Sequence, residues 1–315
     1  MSSGNYRGRF APSPTGPLHL GNLRTALLAW LFARLSSAPF ILRVDDLDGP
    51  RNRPGSAEAI VDDLRWLGLD WDEGPDIGGP YGPYTQSRRS AFYREHLDRL
   101  VAADAVYPCY CSRRDVALAA SAPHSAPRGD GYPGTCRDPA RRAWQRAKHP
   151  ERPPSFRFRV DDRTVYIHDG IRPLYQRYLS GPADDFVVWR SDGAAAYQLA
   201  AVVDDSLMRI GEVVRGEDLL ESTVLQVMLY DALGYEPPAF AHVPLWLDDN
   251  GERLAKRSGS AGLQQLRDSG STAEHVVGML AASCGLAEPG TRCAARDLLD
   301  RVNRESLRQV RNVWP

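Results

Sequence analysis

The segment from Arg9 to Asn22 carries residue types suited to a polyphosphate. Pro12, Pro14, Gly16 and Pro17 force a tight turn, so the amides that open the following helix stay free to face anionic oxygens. His19, placed in the first helical turn, would donate to a phosphate oxygen, and Gly21, lacking a Cβ, would let a flat base approach the backbone. A purely structural turn is the competing reading. A second phosphate partner is Lys256, in the basic stretch Arg253-Leu-Ala-Lys256-Arg257, where a solvated loop is the alternative. Arg43, Asp45, Asp46 and Asp48 crowd opposite charges into a few residues, as either a binding site or a loop cap. Cys109, Cys111 and Cys136 cluster in loop-rich sequence without a core of its own, which favours tetrahedral zinc over disulfides or unrelated thiols. Imidazole is a common zinc ligand and phenolate is not, so chemistry alone prefers His124 as the fourth ligand.

These residues need a frame. An extended segment near 9–12, an apolar helical pattern through Leu20, Leu23, Leu27, Leu31 and Leu35, and a strand over 40–44 form the start of a βαβ unit. That order puts the first turn at the carboxyl edge of a parallel sheet, where ligands collect. Helical patterns follow over 56–67 and 87–106. The stretch 109–154, rich in Pro, Arg, Ser and Gly, reads as an insertion. Short strands are expected over 156–160, 165–167 and 186–189, the last resuming the parallel sheet, with a helix around 197–203. A strand near 212–214, a helix over 219–233 ended by Gly234, and an extended run over 239–247 lead to the loop around Lys256. Cys284 and Cys293 lie in helical-looking sequence, and short helices carry the chain from Thr272 to its end.

The chain has 315 residues, 43% hydrophobic and 25% charged, as in ordinary globular proteins, and nothing in these figures argues for disorder. A formal net charge of -1 means that any nucleic-acid contact must come from local clustering. One such cluster lies between Arg113 and Arg152, with Arg137, Arg141, Arg142, Arg146 and Lys148 beside Trp144, and it suits either a solvated helix face or an RNA backbone. Residues 1–9 are polar, and no run approaches the about 18 apolar residues of a membrane span, so a cytoplasmic protein with no membrane partner is expected.

Ala11-Pro-Ser-Pro-Thr-Gly16 followed by Pro17-Leu-His-Leu-Gly21 resembles the opening of glutamyl-tRNA synthetases, and its second part is similar to the HIGH signature of class I aminoacyl-tRNA synthetases. The stretch around Lys256 is similar to the KMSKS loop of the same enzymes, with Arg253 for the first lysine and Ala255 for the serine. The resemblance implies an α/β fold: a Rossmann-like parallel-sheet catalytic domain with a zinc-binding insertion and a short helical C-terminal part. Its expected divisions are 1–108 and 186–260 for the two catalytic halves, 109–185 for the insertion and acceptor-binding region, and 261–315 for the helical end.

By the same resemblance, Arg9, Ser13, Asp45, Tyr197 and Arg215 form the pocket for L-glutamate, and His19, Gly21, Asn22 and Lys256 bind ATP, with His19 and Lys256 catalytic. Position 45 holds Asp where the family has Glu, which shortens the reach by about 1.5 Å. Cys109-x-Cys111 and Tyr132-x-x-x-Cys136 resemble the arrangement in shortened paralogues, the glutamyl-queuosine tRNA(Asp) synthetases, and imply Tyr132 as fourth zinc ligand. The chain ends soon after Lys256, leaving too little for a helical anticodon-binding domain, which favours those paralogues. Implied partners are ATP with Mg²⁺, glutamate and queuosine-bearing tRNA(Asp), acting on a monomer. A compact enzyme charging tRNA(Glu) and a catalytically impaired RNA-binding or regulatory paralogue are the alternatives.

Overall fold

The computed structural model describes residues 6–120, 132–246 and 262–312. Strands β1 (Gly8–Phe10) and β2 (Phe40–Leu42) are buried throughout and pair in parallel, Gly8 opposite Phe40 and Phe10 opposite Leu42. Between them runs α1 (Leu20–Leu35), whose Leu and Ala residues favour a helix. Its buried positions run unbroken from Leu23 to Ala33 apart from Thr25, so it is enclosed on nearly all sides rather than amphipathic. Gly8 permits this closeness, because a Cβ there would come within 2.7 Å of Ala33 Cβ.

After α2 (Ser56–Trp66) comes α3 (Ser90–Ala102), shorter than the helix expected over 87–106. Asp104 takes a left-handed conformation (φ 50), which ends the helix, and Val106 begins a strand instead. That strand, β3 (Val106–Cys109), leads into α4 (Arg113–Ala120) and α5 (Pro139–Lys148), then β4 (Ser155–Phe158), the hairpin β5 (Arg163–Ile167) and β6 (Tyr175–Leu179), and β7 (Phe186–Trp189).

The parallel sheet does not resume at 186–189, as the sequence suggested. β7 runs antiparallel to β4, which is antiparallel to β3. The stacked rings of Phe158 and Phe186, 5.3 Å apart, show why: β7 completes the apolar face of this separate sheet. β6 had no counterpart in the sequence pattern.

Parallel pairing returns with β8 (Glu212–Gly216) and β9 (Ala239–Val243), reached through α6 (Tyr197–Leu207) and joined by α7 (Leu220–Leu233). The Gly211 amide donates to the Arg7 carbonyl at 3.0 Å, setting β8 beside β1 and joining the two parallel pairs. Helices α8 (Leu263–Asp268), α9 (Ala273–Ala282) and α10 (Arg304–Arg308) follow, and the last two pack on α1. Cys284 and Cys293 are buried but not helical, since α9 ends at Ala282 and Gly285 (φ 74) turns the chain. Among the described residues no helix is long and apolar enough to cross a membrane.

Candidate active site

A cleft of about 450 Å³ opens where α1 begins, and Arg9, Ser13, His19, Gly21, Asn22, Asp45, Tyr197 and Arg215 all line it. The described binding residues chosen from sequence therefore meet in one place. Lys256, with Arg253 and Ala255, lies outside the described residues, as does His124.

His19 is the cap residue of α1, one position before its first turn. Its Nδ1 accepts from the Asn22 amide at 3.3 Å, while Asn22 Oδ1 accepts from the His19 amide at 3.4 Å. With Nδ1 accepting, the ring proton sits on Nε2, the nitrogen able to donate. A Cβ on Gly21 would lie 3.1 Å from Cε1 and Nδ1 of His19, so Gly21 makes room for this ring.

The floor is a buried charge network. Arg43 holds Asp45 through two bonds of 2.7 and 3.2 Å and reaches Asp205 at 2.7 Å. Arg9 reaches the same Asp205 from the other side, at 3.3 Å through both Nε and Nη2. The adjacent Asp204 accepts from Arg89 at 2.6 Å and from Gln86 and Tyr93, each at 2.8 Å. Burial pushes the Asp45 carboxyl up to about 6; Arg43 opposes the shift and Asp204 adds to it. Burial also works against Asp205, but Arg9 and Arg43 outweigh it and hold that carboxyl below its ordinary value. The sequence pattern did not single out Asp204 and Asp205. Their signal was two adjacent carboxylates directly after the apolar run Leu199 to Val203 of a buried helix.

Arg215, on β8, is only 4% exposed. Its Nε donates to His242 Nε2 at 3.2 Å, Nη1 to the Tyr197 hydroxyl at 3.3 Å, and Nη2 to Thr223 Oγ1 at 2.6 Å and Gln226 Oε1 at 2.9 Å. Among the described residues none of its hydrogen-bond partners is a carboxylate. Its hydrogen bonds go to neutral groups and Asp205 acts on it only through space, so a ligand carboxylate is the natural complement of this buried guanidinium.

A second cleft, of about 1200 Å³, shares Ser13, Asp45 and Tyr197 with the first and extends past Arg190 and Arg157 to Cys111. At its far end Cys109, Cys111 and Cys136 are buried, with their sulfurs all within 4.8 Å of one another. Tetrahedral zinc with sulfur ligands at ~2.3 Å would set the sulfurs ~3.8 Å apart, so the donor set fits a metal. The Tyr132 hydroxyl lies 3.7 Å from Cys109 Sγ and accepts from the Cys136 amide at 2.8 Å. Hydrogen bonds from Cys111 and Cys136 hold the Cys109 thiol well below its usual range, while that same sharing pushes Cys111 up. The site favours a thiolate, which is the metal-binding form. Arg157 adds positive charge from 3.8 Å above the Tyr132 ring.

Residues 5–297 match the family model for tRNA synthetases class I (E and Q), catalytic domain. A glutamyl-Q tRNA(Asp) synthetase of Symbiobacterium thermophilum is 50% identical over 96% of this chain and 95% of its own length. The protein of that name from Nitratidesulfovibrio vulgaris is 48% identical over 96% of this chain and 93% of its own. The chain belongs to the glutamyl-Q tRNA(Asp) synthetase family. The crystal structure of a glutamate tRNA ligase from Elizabethkingia meningosepticum, in complex with its amino acid, is 31% identical with a TM-score of 0.83. It covers 98% of this chain, and the chain spans 66% of that structure's length. For this family member the α/β architecture expected from sequence holds, with its parallel pairs at the core of the catalytic domain.

Proposed function

We propose that this chain activates L-glutamate with ATP and transfers the glutamyl group to queuosine in the anticodon of tRNA(Asp). The observation that carries this reading is the meeting, in one cleft, of a helix start suited to phosphates and a buried arginine whose hydrogen-bond partners among the described residues are all neutral. In the first step the α-carboxylate of glutamate attacks the α-phosphorus of ATP and pyrophosphate leaves. In the second, a hydroxyl of the queuosine ring attacks the activated carbonyl and AMP leaves.

His19 Nε2 donates to a phosphate oxygen, and Lys256 balances charge on the departing pyrophosphate. Asp45 and Ser13 receive the α-ammonium, Arg9 orders the buried carboxylates beneath it, and Arg215 with Tyr197 receives the side-chain carboxylate. Mg²⁺ accompanies ATP, with no residue assigned to it. Zinc on Cys109, Cys111, Tyr132 and Cys136 is structural, shaping the far wall of the larger cleft. That cleft shares Ser13, Asp45 and Tyr197 with the reacting site, which suits delivery of a second substrate.

Two measurements test the reading. Pyrophosphate exchange into ATP should require glutamate and fall about a hundredfold in Lys256→Ala. Labelled glutamate should then pass to queuosine-bearing tRNA(Asp), with its position mapped by nuclease digestion. Label on a 3′-terminal adenosine would instead establish charging of an ordinary acceptor end.

A further inference from the structure

Behind Arg215 lies an arrangement that the activation chemistry above does not use. His242, on β9, is wholly buried, and its Nδ1 meets Asp169 Oδ2 at 2.5 Å. Asp169 also accepts from the backbone amides of Ile171 and Arg172, each at 2.9 Å, and of His242 at 3.1 Å. A carboxylate gathering three amides and a ring N–H stays ionised even when buried, and its own value is held low. The proton between them therefore stays on Nδ1, which leaves Nε2 as an acceptor. That acceptor faces Arg215 Nε at 3.2 Å and Thr223 Oγ1 at 2.9 Å. Burial and the neighbouring guanidinium both disfavour a charged ring.

We infer that His242, oriented by Asp169, is a specificity-determining positioning residue: it satisfies Arg215 without neutralising it. This rests on the reading that Arg215 receives the substrate's side-chain carboxylate. A carboxylate in direct contact with Arg215 would form an internal ion pair, and an uncharged side chain such as that of glutamine would then fit as well as glutamate. The imidazole stands between Asp169 and Arg215 and passes on orientation rather than charge. With no carboxylate in contact among the described residues, the guanidinium keeps its demand for an anion, and glutamate is selected over glutamine.

The test is exchange kinetics with glutamate and glutamine on the purified full chain carrying His242→Gln, His242→Glu or Asp169→Asn, with thermal unfolding followed in parallel. His242→Gln keeps a neutral acceptor and should hold the glutamate-to-glutamine ratio of kcat/KM within about threefold of the parent. His242→Glu supplies the internal carboxylate, and that ratio should fall about a hundredfold or more, while the KM for ATP stays within twofold. A damaged fold would lower both substrates and ATP together, so a parental ratio in His242→Glu overturns the inference. Should that variant fail to fold, Asp169→Asn decides. Its amide donates to Nδ1 and turns the ring proton toward Arg215, so the glutamate KM should rise about tenfold with kcat kept. An unchanged glutamate KM overturns the inference. Absence of glutamate-dependent exchange in the parent chain would instead remove the underlying reading of the site.

Discussion

Asp45 is where the chemistry of a single residue is most exposed to test. Its carboxylate faces the cleft, yet Arg43 holds it and burial keeps its proton until about pH 6. The value in the folded chain lies above the unfolded 3.8, so the folded state binds the extra proton between the two. Ionising Asp45 therefore costs stability as pH rises through that window. Function runs the opposite way, because only the carboxylate attracts the α-ammonium of glutamate. The KM for glutamate should rise about tenfold as pH falls from 7 to 5, approaching one decade per pH unit below the carboxyl's midpoint. Asp45→Asn should show a high KM with little slope across the same range. A parental slope in that variant would assign the titration to another group.

At the scale of elements, the cysteine-bearing segment and the C-terminal helices are held by different means. Tyr107, Cys109, Cys111, Tyr132 and Cys136 form a small core of their own, with Val116 of α4 packed against it. Elemental analysis should find about one zinc per chain. Cys111→Ser should release it, Tyr132→Phe should make it easier to strip with a chelator, and His124→Ala should leave it in place. Metal loss confined to the His124 variant would transfer the fourth position to imidazole. The C-terminal layer depends on close packing: α9 brings Gly278 against the backbone of Thr291, and a Cβ there would overlap the Thr291 carbonyl oxygen. Gly278→Ala should cost on the order of 2–3 kcal/mol, read by urea unfolding, because backbone rather than a flexible side chain must move. Exchange activity at low temperature should survive, since α9 touches α1 behind the cleft rather than within it.

Across the whole molecule, a net charge of -1 leaves RNA attraction to local clusters of basic residues. On α5, Arg141 and Arg146 are exposed beside Trp144, which is 61% exposed, whereas Arg137 is committed to Asp185 at 3.0 Å. Transfer to tRNA should weaken as salt rises, and Arg141→Glu with Arg146→Glu should flatten that dependence by about one logarithmic unit for each phosphate no longer neutralised. Pyrophosphate exchange should be unaffected, and an unchanged salt slope would make α5 a merely solvated face. What the sequence by itself determined was local: the Pro- and Gly-rich turn before α1, the helical stretches of α1 and α7, and the clustering of Cys109, Cys111 and Cys136. Each depends on residues near one another in the chain, so residue type and order suffice. Tertiary structure alone decided the partners: Arg9 and Arg43 converge on Asp205, His242 stands between Asp169 and Arg215, and β7 pairs with β4. Such pairings join residues as much as 196 positions apart, as between Arg9 and Asp205. A buried charge takes whichever counterpart the packed core places beside it, and no local pattern records that choice.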